Sequence, residues 1–204
     1  MKTILVVLGI LAAFVVGLVL FAVGQYNGLV NRSQAVDAQW AQVENVYQRR
    51  ADLVPNLVAT VSGAANFEKS TLTEITNARA SVGKVQVGGG GTPTAAQLAD
   101  FEKAQGALSS ALSRLLVVAE NYPTLKATAN FQELQAQLEG TENRISVERG
   151  RFNDLARDYN AAIKRVPAVF FAGVFGFTPK PYFSAKPGSD QPPQVKFDFG
   201  DKKP

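Results

Sequence analysis

The chain has 204 residues, 21 lysines and arginines against 17 aspartates and glutamates, and neither cysteine nor histidine. Without those two residue types it cannot build the usual zinc sites, Cys–His nucleophile pairs or Ser-His-Asp triads, and with no thiol it cannot carry lipid as a lipoprotein does. The net charge of +4 is spread: residues 26–82 balance five cations against five anions and residues 123–166 seven against six, so no segment has the concentrated charge of a nucleic-acid surface.

In chain order, the first element is apolar. Residues 3–24 carry no charge, and Lys2 is the only charged side chain before them. At about 1.5 Å per helical residue this stretch spans roughly 33 Å, against a hydrocarbon core of about 30 Å. Fifteen of its residues are Leu, Ile, Val or Phe, which together favour insertion by roughly 5–9 kcal/mol. Ala22-Val23-Gly24 has the small-x-small pattern of a signal-peptidase site, but the run exceeds the usual signal h-region of about 7–15 residues. The expectation is a retained transmembrane anchor over residues 1–25, in contact with the bilayer through residues 3–24. Lys2 and the terminal amine lie on one side, whereas Arg32, partly offset by Asp37, is the first charge on the other. The positive-inside tendency then puts the N-terminus in the cytoplasm and the body outside the bacterial inner membrane.

After the anchor, apolar positions alternate at spacings of four and three: Leu29, Ser33, Val36, Trp40, Val43, Tyr47, Arg50, Val54, Leu57, Val61 and Ala64. This is one stripe of an amphipathic helix, and it is expected to run on through Leu72, Ile75 and Ala78. Pro55 lies inside it and should kink or break it. Residues 82–94, with four glycines at 88–91 and Pro93, read as a flexible turn. A glycine run of this kind lacks the Gly-Lys-Ser/Thr ending of a phosphate-binding loop.

Thr94 followed three residues later by Gln97 reads as a capping box, opening a helix with the stripe Leu98, Phe101, Gln105, Leu108, Leu112, Leu115, Ala119 and Tyr122. Pro123 should end that helix and open a third, carrying Phe131, Leu134, Leu138, Thr141, Ile145, Glu148, Phe152, Leu155, Tyr159, Ala162 and Val166. Short connections make antiparallel neighbours, so the expected fold is all-α: an N-terminal transmembrane helix, then an antiparallel up-and-down bundle of three to four long helices. Residues 168–183 are rich in Phe and Gly and too broken by proline to span a membrane; they read as a cap on the bundle or an aromatic contact with the bilayer or a partner. The body thus covers residues 26–183, and residues 184–204, with little to bury, read as a disordered tail.

A helical bundle invites a ferritin-type di-metal centre, but that needs two Glu-x-x-His motifs. Glu139 and Glu142 share a helix face and read as solvated charges. No catalytic residue, metal site, cofactor or small-molecule substrate is therefore expected. Arg50 interrupts the first stripe and Glu148 the third. Either an internal Arg–carboxylate bridge fixes helix register, or the helix rotates near Pro55 and leaves Arg50 in water.

Several strings, taken in order, resemble the LemA family of bacterial membrane proteins. They are Tyr26-Asn27-Gly28-Leu29-Val30, Arg49-Arg50-Ala51-Asp52-Leu53-Val54-Pro55-Asn56-Leu57-Val58, Glu120-Asn121-Tyr122-Pro123-Thr124-Leu125-Lys126-Ala127, Thr141-Glu142-Asn143-Arg144-Ile145, Asp158-Tyr159-Asn160, Gly176-Phe177 and Tyr182-Phe183. The resemblance implies a single-pass membrane protein with a roughly four-helix body and a helix boundary near Pro55. Phe152 departs from it, since the family commonly has tyrosine before the asparagine, so a phenolic hydrogen bond is not available there. No enzymatic activity comes with the resemblance, whose members are associated with membrane-located processes including magnetosome membrane formation. The expected function is a membrane-anchored, non-enzymatic scaffold that engages a protein partner or copies of itself. The alternatives are a lipid-binding or membrane-shaping module acting through the Phe-rich segment, and an accessory subunit of a membrane enzyme.

Overall fold

The computed structural model describes residues 2–64, 67–85 and 91–184. Among them every regular element is helical: α1 (Lys2–Ser62), α2 (Lys69–Lys84), α3 (Ala95–Ala119), the short α4 (Pro123–Lys126) and α5 (Ala129–Lys164), followed by a 3-10 turn at Ala168–Phe170. The expected all-α class holds. The proposed tail, apart from Ser184, and most of the glycine run lie outside the described residues.

Helix α1 has 61 residues, or roughly 90 Å at 1.5 Å per residue. Its large apolar side chains from Ile4 to Val23 are all exposed, which is the surface a bilayer would cover. From Leu29 onward the expected stripe turns inward, with Val36, Trp40, Val43, Val54, Leu57 and Val61 almost wholly buried. The boundary expected at residue 25 therefore falls inside one continuous hydrogen-bonded ladder.

Pro55 does not break α1, which runs on through it to Ser62, so of the kink or break expected there the break is overturned. A proline at this position leaves the carbonyl four residues earlier without its helical donor. That carbonyl belongs to Ala51, and Arg79 of α2 supplies the missing donor, its Nε lying 3.1 Å from Ala51 O. On either side of the proline, Val54 and Leu57 are buried in the core. The chain reverses instead after Ser62, through Gly63 and Ala64. Thus Leu72, Ile75 and Ala78 belong to a separate helix, α2, which buries Ile75 completely.

The capping box at Thr94 forms as expected, with Gln97 N donating to the Thr94 hydroxyl and Thr94 N donating to Gln97 Oε1 at 2.9 Å. Pro123 does end the second stripe, but it opens only the four-residue α4. The long helix starts at Ala129, where the Thr128 hydroxyl caps Phe131 N and itself donates to Leu125 O. A threonine cap replaces the proline start because α4 first carries Leu125 into the core.

Contacts between α1 and α5 pair Gln39 with Glu148 and Arg50 with Glu142, so the two helices run in opposite senses. Between α2 and α3, Glu74 meets Arg114, and Phe67 packs on Tyr122 just beyond the end of α3. Those elements also run in opposite senses. The described residues form two apolar clusters: one near the apolar N-terminal stretch, built on Leu29, Trp40, Phe152 and Tyr159, and one beyond it, built on Leu57, Ile75, Leu115 and Phe131.

Because an orphaned, largely buried carbonyl costs about 1–3 kcal/mol, Arg79→Met should destabilise the full chain in detergent by about 1–2 kcal/mol while Pro55 is present. Beside Pro55→Ala, whose backbone N–H restores the helical bond, the same change should cost only a few tenths. Thermal unfolding followed by circular dichroism checks this cycle, and equal losses in both backgrounds would contradict the patch.

Candidate functional site

Arg50, which interrupts the first stripe, and Gln105, which interrupts the second, meet. Both are buried. Arg50 Nη2 donates to Gln105 Oε1 at 2.6 Å and to the Gln105 carbonyl at 3.2 Å. Its Nη1 donates to Ser109 Oγ at 2.7 Å and to Glu142 Oε2 at 2.9 Å, and the guanidinium lies over the Tyr47 ring, 5.0 Å from its centroid. A buried cation is tolerated when it is paired, and the planar fork of arginine suits this set of oxygens; both Nη groups are satisfied, while Arg50 Nε is buried without a hydrogen-bond partner among the described residues.

The internal Arg–carboxylate bridge is formed, with Glu142 as its carboxylate and not Glu148, the acid that interrupts the third stripe. Glu148 accepts from Gln39 at 2.6 Å and from Arg151 at 2.9 Å instead. On the antiparallel α5, a residue six positions past Glu142 lies roughly 9 Å further toward the start of α1, out of reach of Arg50. The solvated alternative for Arg50 is also overturned. Glu142, expected as a solvated charge, stays 55% exposed while holding this bridge.

A cleft of about 830 Å³ opens around this layer, lined among others by Tyr47, Arg50, Glu102, Gln105, Glu142 and Arg149. Arg149 bridges to Glu102 at 2.8 Å and donates to Ser184 O at 3.0 Å, while its guanidinium covers the Phe183 ring. Burial pushes the Glu102 carboxyl up, with the Arg149 charge opposing, and burial likewise pushes the Tyr47 phenol up. These cations and carboxylates are matched to each other. Arg50 joins α1 to α3 and α5 at one level, and the Arg149–Glu102 bridge joins α3 to α5 roughly 10 Å further toward the start of α1.

A second polar construction, missed in the sequence, ties down the segment after the 3-10 turn. Asn160 Oδ1 accepts from Lys180 N and its Nδ2 donates to Lys180 O, both at 2.8 Å. Asn153 does the same for Phe183, at 2.9 Å and 3.0 Å. Seven residues of helix rise about 10.5 Å and three extended residues span about 10 Å, so the two clamps share one register. The strap carries Phe183 into the aromatic core, stacked on Trp40 and edge-on to Phe152, whose phenyl ring leaves no hydroxyl to satisfy there. Two asparagines seven apart beside the α5 stripe, and an extended Pro-Lys-Pro, were the available signals.

Asp37 closes the arrangement. It accepts from the Thr92 backbone N–H at 2.8 Å, from the Thr92 hydroxyl and from Lys180 Nζ at 3.0 Å, so α1 holds both the approach to α3 and the strap. Burial alone would raise its pKa, but the hydrogen bonds from Thr92 and Lys180, with the lysine charge, bring it below the ordinary carboxylate value.

A helical body clamped along a helix that begins with a bilayer-length apolar stretch defines a membrane-associated helical protein. Comparison with known proteins agrees. The sequence model of the LemA family matches residues 39–197, and the chain belongs to that family. It is 29% identical to the magnetosome protein MamQ of Magnetospirillum gryphiswaldense over 91% of this chain and 74% of that protein. It is also 29% identical to MamQ 1 and MamQ 2 of Paramagnetospirillum magneticum, over 82% of this chain and 68% of each.

Since the folded pKa of Asp37 lies below the unfolded one, its contribution to stability is present above about pH 4 and is lost as pH falls through the folded value. The thermal midpoint of the full chain in detergent should therefore fall more steeply with acidification than that of Asp37→Asn, which starts lower at neutral pH. Parallel profiles for the two proteins would contradict the role given to this carboxylate.

Proposed function

We propose that this protein is a single-pass, membrane-anchored, non-enzymatic scaffold. Its body is an antiparallel up-and-down bundle outside the cytoplasm, presenting a fixed surface to a protein partner or to copies of itself. The observation that carries this reading is the unbroken helix from Lys2 to Ser62. An anchor that only tethers a domain needs a linker, whereas a shared helix holds the body at a set height and angle above the bilayer. The internal pairing of Arg50, Glu142, Arg149 and Glu102 supports a structural use for these charges. Similarity to proteins named for the magnetosome supports a role at a membrane. The lone Lys2 before the apolar stretch supports the orientation.

Crosslinking in intact membranes, followed by mass spectrometry, tests the proposal. The expected products are reproducible crosslinks from body residues to one partner or to a second copy. Recovery of only uncrosslinked monomer, with body lysines accessible to the reagent, would contradict the scaffold reading.

A further inference from the structure

The turn that follows α5 has two sides. Its inner side caps the body: Ala168 and Ala172 are buried, and Phe171 and Phe177 pack against the core nearest the apolar stretch. Gly176, at φ +77°, lets the chain close, with Phe177 N donating to Ala172 O at 2.9 Å and Gly176 N to Gly173 O at 3.2 Å. None of this accounts for the outer side. Val166, Val169, Phe170, Val174 and Phe175 are all exposed, Val174 at 83% and Phe170 at 75%. Beyond the N-terminal apolar stretch, the other large apolar side chains exposed among the described residues are Tyr26, Val117, Val147 and Tyr182.

The height of this patch is set by α1. The rings of Phe175 and Phe177 pack on Tyr26, with centroids 5.2 Å and 5.5 Å away. Tyr26 is two residues past Gly24, about 3 Å along the helix from the end of the apolar stretch. Through Phe175 the turn thus adjoins the surface that a bilayer would cover, at the depth where aromatic residues concentrate in membrane proteins. Lys164 and Arg165, both exposed, immediately precede the turn, placed for their heads to reach lipid phosphates.

We propose that the turn over residues 166–177 is a second membrane contact, its outer apolar side chains seated in the boundary between headgroups and acyl chains of the same bilayer that α1 enters. This rests on residues 3–24 spanning that bilayer. One helix alone can rotate about its axis and tilt. A second contact, carried on α5 and locked to α1 through Tyr26, fixes which face of the body looks along the membrane plane.

The chain has no cysteine, so single nitroxide labels can be attached to Val16→Cys, Phe170→Cys, Val174→Cys and Val147→Cys of the full chain. The protein would be placed in nanodiscs of phosphatidylethanolamine and phosphatidylglycerol. Collision of each label with oxygen, which enters the bilayer, is compared with collision with a water-soluble nickel chelate. The expected oxygen-to-nickel ratio is severalfold higher at positions 170 and 174 than at 147, approaching that at 16. With position 16 in lipid, water-like ratios at 170 and 174 would overturn the second contact and leave the anchor standing, as would labels shielded from both reagents by a protein neighbour. A water-like label at position 16 would overturn the anchor and this proposal together.

Discussion

Everything in this molecule is positioned by the continuity of α1 across its junction at residues 24–28. Local preference does not secure that junction, since Gly24, Asn27 and Gly28 are poor helix formers, each glycine costing about 1 kcal/mol relative to alanine. Nor is their small size needed, because a Cβ at either glycine would meet nothing within 4 Å. What supports the ladder is docking within the junction and just after it: Tyr26 against Phe175 and Phe177, and Leu29 buried three residues later. The turn after α5 thus does more than cap the body; it braces the helix where the helix is locally weakest.

Above the brace, the body is built in layers. Asp37 and the two asparagines lock the strap and the approach to α3 onto the α1–α5 pair, burying Trp40 among Phe101, Phe152 and Phe183. The Arg50 layer then separates this aromatic core from the aliphatic core around Leu57, Ile75 and Leu115. A buried guanidinium adds little net stability compared with a well-packed apolar group. It does penalise sliding, because a displaced helix would leave its donors without Gln105, Ser109 and Glu142. That suits a body whose height along α1 matters.

The stripes, the Thr94 capping box and the helical class were legible in the sequence because helical periodicity and capping are local. Boundaries that depend on tertiary contacts were not. Pro55 looks like a break until Arg79, on another helix, supplies the missing donor. Pro123 looks like the start of a long helix until Leu125 needs its own turn to reach the core. Arg50 and Gln105 were each visible as interruptions of a stripe, but only the packing of α1 against α3 and α5 pairs them and turns Glu148 toward Gln39. The strap was hidden for a similar reason: an asparagine clamping a distant backbone has no periodic signature.

The apolar stretch and the body share one helix, and an intramolecular distance across the junction is the direct check of that continuity. Nitroxides at Phe14→Cys and Ala41→Cys, both exposed in the structure, would be measured as a pair by pulsed dipolar spectroscopy on the full chain in nanodiscs. A continuous helix separates the two backbone positions by roughly 40 Å, at 1.5 Å for each of 27 residues. A single narrow distribution near that distance is expected. A broad distribution, or one centred well below it, would mean a hinge after Gly24 and would contradict that continuity.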